Sequence, residues 1–180
     1  MTVSPPEPLE LPATLEPDNP LWRYALTCWQ RSELAQRCLD LQSGGWSVTR
    51  ILCAAWLGVN GRVFTGNEDA KVTEWRDRVT GPLRRARKSI PRDHSQCQPL
   101  REALASVELQ AEQTELALAW QSITTFNPKS GTMQDPDTAI LQNLSAAAPC
   151  PRLAPSEAEC LQRLASLFAQ IPAGDALPCS

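Results

Sequence analysis

Ile51-Leu52-Cys53-Ala54-Ala55-Trp56-Leu57-Gly58-Val59 is the longest unbroken apolar stretch in the chain, and its reading decides the fold. Ser47 ahead of it and Asn60-Gly61 behind it are helix start and stop signals, so the stretch predicts a helix with almost no polar side. Such a helix is stable only when others enclose it. Nine residues are far fewer than the ~20 that span a bilayer, so the helix belongs at the centre of a water-soluble bundle and not in a membrane.

The flanking sequence supplies the enclosing helices. Asn19-Pro20 is a cap followed by a proline at the first helical position, opening a helix through Trp22, Tyr24, Leu26 and Trp29. Ser32 begins a second helix whose Leu34, Ala35, Cys38, Leu39 and Leu41 recur at helical spacing until Gly44-Gly45. After the central helix, Asn67-Glu68-Asp69 reads as the start of a fourth, with Val72, Trp75, Val79, Leu83, Ala86 and Ile90 on one face and a bend or restart expected at Pro82. A fifth runs from about Pro99 to Thr124. Short connections favour antiparallel neighbours, and no competing β-rich run occurs.

Proline and aromatic residues divide the 180-residue chain. Six of 16 prolines lie in the first 20 residues and seven lie beyond 126, whereas all six Trp, the single Tyr and two of three Phe fall between Trp22 and Phe126. The expected organisation is therefore all-α: a disordered, acidic, Pro-rich arm over 1–18; a compact bundle of about five helices over 19–126; a Pro-rich linker over 127–155 with one short helix between Pro136 and Ala148; an amphipathic helix over 156–172; and a disordered end over 173–180. Ser156-Glu157-Ala158-Glu159 reads as the capping box of that last helix, which carries Leu161, Leu164, Leu167, Phe168 and Ile171 on one side. Two placements stand open for it, back onto the bundle or into the groove of another protein.

The order Leu21-Trp22-x-x-Ala25-Leu26, Cys38-Leu39-x-Leu41-Gln42, Ile51-Leu52-Cys53-x-x-Trp56-Leu57 and Trp75-Arg76-x-x-Val79-x-x-Pro82-Leu83-Arg84-x-x-Arg87 resembles a family of short proteobacterial proteins known as a conserved hypothetical domain of unknown function. The resemblance covers about residues 19–124, and Trp75 to Arg87 is its most distinctive part. It implies a compact all-helical cytoplasmic protein and brings no catalytic residue with it. The chain departs from the family pattern at Gly44-Gly45-Trp46-Ser47-Val48, where the family has acidic or amide residues ahead of its leucine run. A family contact at that turn is not carried over.

Several functions are excluded by residue type. The start, Met1-Thr2-Val3-Ser4-Pro5-Pro6-Glu7, lacks the cationic and apolar segments of a secretory signal, and seven cysteines make an odd, sparse set, so a cytoplasmic location with free thiols is expected. Glu108, Glu112 and Glu115 form an acidic stripe at i, i+4, i+7, but a di-iron bundle needs two Glu-x-x-His motifs and the single histidine, His94, lies in a loop. The stripe is read as a solvated face. His94 and Cys97 alone make neither a zinc site nor an oriented nucleophile. Gly-rich phosphate loops, Gly-x-Ser-x-Gly and Gly-x-Gly-x-x-Gly are all missing. No metal, cofactor or catalytic residue is expected.

Charge is the feature that remains. Residues 71–101 hold nine of the 17 basic side chains against three acidic ones, a net of +6, while the rest of the chain is −9. A constant 100° per residue places Arg78, Arg84, Arg85, Arg87 and Lys88 on the face opposite Val72 and Trp75, with Arg92 just beyond. These residues, together with Trp46 in its glycine turn, are the candidate contacts with a partner or an anion. Pairing with the Glu108 stripe is the competing structural explanation. The leading expectation is a non-enzymatic interaction or adaptor protein acting through this helix on a protein partner. The alternative is an accessory protein that binds RNA or another polyanion through residues 71–92, and the third is a small helical carrier of an apolar ligand.

Overall fold

The computed structural model describes residues 7–126, 135–172 and 174. Among these the chain is helical without strands: α1 Pro20–Trp29, α2 Ser32–Ser43, α3 Val48–Val59, α4 Ala70–Trp75, a π-helical turn Arg76–Thr80, α5 Gly81–Ser89, α6 Gln98–Phe126, α7 Pro136–Ala146 and α8 Pro155–Phe168. No helix among the described residues is long and apolar enough to cross a membrane.

The helix starts follow from local chemistry. Asn19 Oδ1 accepts from the Trp22 N–H at 2.9 Å, with Pro20 filling the position that needs no donor. Ser47 Oγ accepts from the Arg50 N–H, and Asp69, not Asn67, caps α4 through the Lys71 N–H at 2.8 Å. α8 begins at Pro155 after Ala154, so Ser156 is not its cap. Half of a capping box survives, with Glu157 Oε2 accepting from the Ala154 N–H at 2.8 Å.

α3 lies at the centre as its sequence requires, with every residue from Ile51 to Gly58 buried. Its closest neighbour is α7, the short helix expected within the linker, which is here a core element. The folded body thus extends past 126: Ile140, Leu144, Leu161, Leu164, Phe168 and Ile171 share one core with Leu21, Leu34, Ile51 and Trp56. Gly58 lets α7 approach, since a Cβ there would lie 2.8 Å from Ile140 Cγ1 and 2.9 Å from its Cα. Buried Asn143 then fixes the register, donating to the Ala54 and Arg62 carbonyls at 3.1 and 2.9 Å and accepting from the Phe64 N–H at 2.9 Å. α8 lies back on the bundle, against α2 and α7. Trp56 meets Trp120 edge to face at 5.3 Å between ring centroids.

The arm is also partly placed. Leu15 packs on the core, Gln113 donates to the Pro17 carbonyl at 3.2 Å, and Arg78 donates to the carbonyl of Glu7. Residues 1–6, 173 and 175–180, expected to be disordered, and 127–134 of the expected linker lie outside the described residues.

Pro82 acts differently from a simple bend. Proline has no N–H for the Arg78 carbonyl and its ring crowds that carbonyl. The backbone answers by widening: Gly81 N–H bonds to the Arg76 carbonyl, five residues back, and the helix continues through the π turn. One additional residue in that turn rotates everything after it by about 100° relative to a uniform α-helix.

Candidate functional site

That rotation reorganises the basic segment. Of positions 83, 86 and 90, expected to face inward, Ala86 is exposed while Leu83 and Ile90 are half-buried, as are Arg84 and Arg87, and α5 has no fully buried residue. Arg84 therefore reaches Glu108 at 3.0 Å and Glu112 at 2.5 Å, and Arg87 meets Glu108 with both Nε and Nη2. One turn earlier, Arg76 grips Glu68 through both Nη atoms at 2.6 and 2.7 Å and Glu115 through Nε at 2.8 Å. Glu108 and Glu115 are buried, so the acidic stripe is not a solvated face as expected. It is the inner half of a charged lattice joining Glu68 ahead of α4, the π turn and α5 to α6.

Burial raises the pKa of Glu108, but its hydrogen bonds and charge attraction to Arg87 and Arg84 outweigh burial and hold it below its ordinary value. Glu112 goes the other way. Burial dominates there, the neighbouring Glu108 and Glu115 add to it, and the single partner Arg84 does not compensate, so its carboxyl sits above the ordinary range. Burial disfavours the Arg76 charge, yet Glu68 and Glu115 more than restore it.

The lattice forms one wall of a cleft of about 580 Å³. Trp22, Ala25, Leu26 and Trp29 of α1, with Leu39 of α2, supply an apolar wall; Leu52 and Leu116 lie deeper, and Leu109 stands at the rim of α6. The first turn of α3, Ser47 to Arg50, also lines it. The volume falls within the usual range for small-molecule sites, while the lining is more charged than is usual for them, with seven ionisable side chains beside the apolar ones.

The residues singled out by sequence are dispersed. Arg84 and Arg87 line the cleft with their charges paired, and Arg78 is a surface residue paired to Glu74 at 2.6 Å. Arg85, Lys88 and Arg92 are exposed on the outside, and no carboxylate pairs with them among the described residues. The structure thus does not gather these cations into one outward stripe. Trp46, expected to be hard to bury, is 3% exposed, and its Nε1 donates to Glu157 Oε1 at 2.8 Å, tying the α2–α3 turn to α8. His94 and Cys97 lie in the α5–α6 connection, and no group that could hold a metal ion occurs among the described residues.

Sequence reading missed Trp22, Arg50 and Arg76 as cleft residues. Arg50 carried a legible signal, being the one charged residue in an otherwise apolar helix. Its guanidinium spans to the C-terminal end of α7, donating to the Ala147 carbonyl at 3.2 Å and the Ala146 carbonyl at 3.3 Å. It also stands over the Phe64 ring at 5.6 Å.

Fold and site together define an all-α protein whose core closes through its C-terminal helices and whose helical wall carries a half-open amphipathic cleft. Residues 20–118 match the family model described as "Protein of unknown function (DUF2390)", and the chain belongs to that family. The match takes in α1 to α5 and most of α6, including the cleft's charged and apolar walls, and stops before α7 and α8. No curated protein and no solved structure matches the chain.

Proposed function

We propose that the protein is a non-enzymatic binding protein that holds a small ligand with an apolar body in this cleft. The observation that carries the reading is the cleft itself: about 580 Å³, formed without a partner and lined by Trp22, Trp29, Leu52 and Leu116 together with a lattice of ion pairs. The lattice engages two of the cations on which the polyanion reading rests, Arg84 and Arg87, which are already bound to carboxylates. A cytoplasmic bacterial setting accompanies the proposal.

The test is titration of the protein with an uncharged apolar dye such as N-phenyl-1-naphthylamine, read by dye emission and by tryptophan quenching. Binding that saturates at one dye per chain, and that Leu116→Arg abolishes while the far-ultraviolet circular dichroism is unchanged, is the expected result. Wild-type protein that takes up no dye would refute the reading.

A protein partner is the second reading, favoured by one observation. Leu26, Trp29, Leu39 and Leu109 are all exposed and all lie on the rim of the cleft, so apolar surface continues outward from it. In that case an amphipathic helix would seat its apolar stripe across the rim. Cross-linking from a photoreactive group at position 39 to a protein in the native lysate, competed by the dye, checks it.

A further inference from the structure

We infer that the rim of the cleft docks an acidic amphipathic helix of a partner protein, its apolar stripe laid along α1 and its carboxylates set against cations that the ion-pair lattice leaves free; the inference rests on the second reading above, a protein partner at the rim. Leu26, Trp29, Leu39 and Leu109 are 40–52% exposed and all border the same opening. Apolar residues scattered singly over a surface need no explanation, whereas a contiguous set around a concave one marks an interaction site. The shape of the wall suits a helix. From Trp22 to Trp29 it runs seven residues along α1, about 10.5 Å at 1.5 Å per residue. An i, i+7 pair on a partner helix spans the same length, with its i+3 and i+4 residues between them. The described residues offer no strand edge to extend, and the walls are helices whose ridges accept another helix.

Charge identifies the flank of that helix. Arg84 and Arg87 line the cleft with their charges paired to Glu108 and Glu112. Lys88 lies one turn after Arg84 on the same face of α5, and Arg85 one turn before Lys88. Both are exposed, as is Arg31 in the turn that follows Trp29, and no carboxylate pairs with any of the three among the described residues. Cations thus flank the opening from both sides, Arg31 beside α1 and Arg85 with Lys88 on α5. Glu102, one turn ahead of Ala105 on α6, is a single opposing charge.

The apolar edge separates this partner from a nucleic acid. A phosphate backbone would pair with Arg85 and Lys88 but leave Leu26, Leu39 and Leu109 in water. An acidic amphipathic helix uses both features: its apolar stripe removes the leucines and Trp29 from water, and its carboxylates meet the cations, which speeds encounter and selects against basic helices.

The experiment uses the full chain and two labelled peptides of about 18 residues, long enough to form helix, that share one leucine stripe and carry either glutamates or lysines beside it; binding is read by fluorescence anisotropy. The expected result is that the glutamate peptide binds about tenfold tighter than the lysine peptide, with the difference shrinking as salt rises. Leu39→Ser with Leu109→Ser, both at exposed positions, should weaken the two peptides about tenfold alike. Arg85→Glu with Lys88→Glu should invert the preference, circular dichroism confirming the fold in each case. Equal binding of the peptides, or tighter binding of the lysine one, overturns the acidic assignment and leaves a partner helix at the rim. If neither peptide binds while the neutral dye does, the helix falls with it and the small-ligand reading stands. Binding of polyuridylate without either peptide overturns the inference in favour of a nucleic-acid surface, and a chain that is dimeric in sedimentation velocity until Leu39→Ser dissociates it does so in favour of a second copy.

Discussion

Gly58→Ala puts the packing of α3 on α7 to a quantitative test because two effects of similar size oppose each other. Replacing a glycine inside a helix with alanine normally stabilises by about 0.5–1 kcal/mol. Here the new Cβ would lie 2.8 Å from Ile140 Cγ1, 2.9 Å from Ile140 Cα and 3.2 Å from its N. Carbon atoms in good contact sit about 3.5–4.0 Å apart, so α7 must withdraw by roughly 0.7 Å, and a gap of that size forfeits a quarter to a half of the dispersion well at each contact. Two of the three clashing atoms are backbone, so a rotamer change cannot relieve them. Withdrawal also stretches the three Asn143 hydrogen bonds that anchor α7. Overpacking of this kind costs about 1–3 kcal/mol, and the lengthened buried bonds add roughly 1 more. The expected net is destabilisation by about 2 kcal/mol, a fall in the urea midpoint of about 1 M, followed by tryptophan emission. Ile140→Ala in the same background removes only the side-chain clash and should not restore the midpoint. A Gly58→Ala protein as stable as the parent, or more so, would refute the close approach.

Asn143→Ala should cost about 3 kcal/mol in urea unfolding, since it orphans the Phe64 N–H and two carbonyls at once. Glu108→Gln should cost about 2–3 kcal/mol at pH 7 because Arg84 and Arg87 lose the charge that compensates their partial burial, whereas Glu112→Gln should be neutral or stabilising. The pH dependence has opposite signs for the two groups. Glu108 has a depressed folded pKa, so its contribution is present above the ordinary value near 4.5 and is lost as pH falls through the folded value; Glu112, raised by burial, penalises the fold at neutral pH and ceases to do so below 4.5. Thermal unfolding of both variants between pH 3 and 7 separates them, and coincident curves would contradict the assignment. Trp46→Phe keeps the ring buried but removes its bond to Glu157, so amide hydrogen exchange should quicken in α8 while α3 stays protected.

The parts of the fold that sequence disclosed were those in which local and global signals agree. Asn19-Pro20 and Ser47 announced the starts of α1 and α3, and an apolar stretch without a polar side located the centre. What it did not disclose involves side chains whose partners are distant in sequence. Asn143 looks like an ordinary linker residue until Ala54, Arg62 and Phe64 are brought beside it, across 79 to 89 positions. Proline at 149, 151 and 155 read as linker chemistry, yet Pro155 occupies the first position of a core helix, where proline is tolerated, as Pro136 does at the start of the short helix the sequence announced. Trp46 was judged by its glycine neighbours, when Glu157, 111 residues on, supplies the acceptor that makes its burial favourable.

The cleft depends on the smallest of these non-local features. Helical arithmetic at 100° per residue is sound on both sides of the π turn; only the phase across it is wrong, by one residue. With the uniform phase, Leu83 and Ala86 would pack on α6, the glutamates would be left to solvent, and the arginines would form an outward polyanion-binding stripe. With the π turn, Arg84 and Arg87 take the inward places, Glu108 and Glu115 are drawn under cover, and the arginines are neutralised. Arg84 and Arg87 thus serve either an outward stripe or an inward lattice depending on how the backbone accommodates Pro82. Because α5 has no fully buried apolar residue, the ion pairs carry much of the register of the α5–α6 hairpin, and with it the width of the cleft.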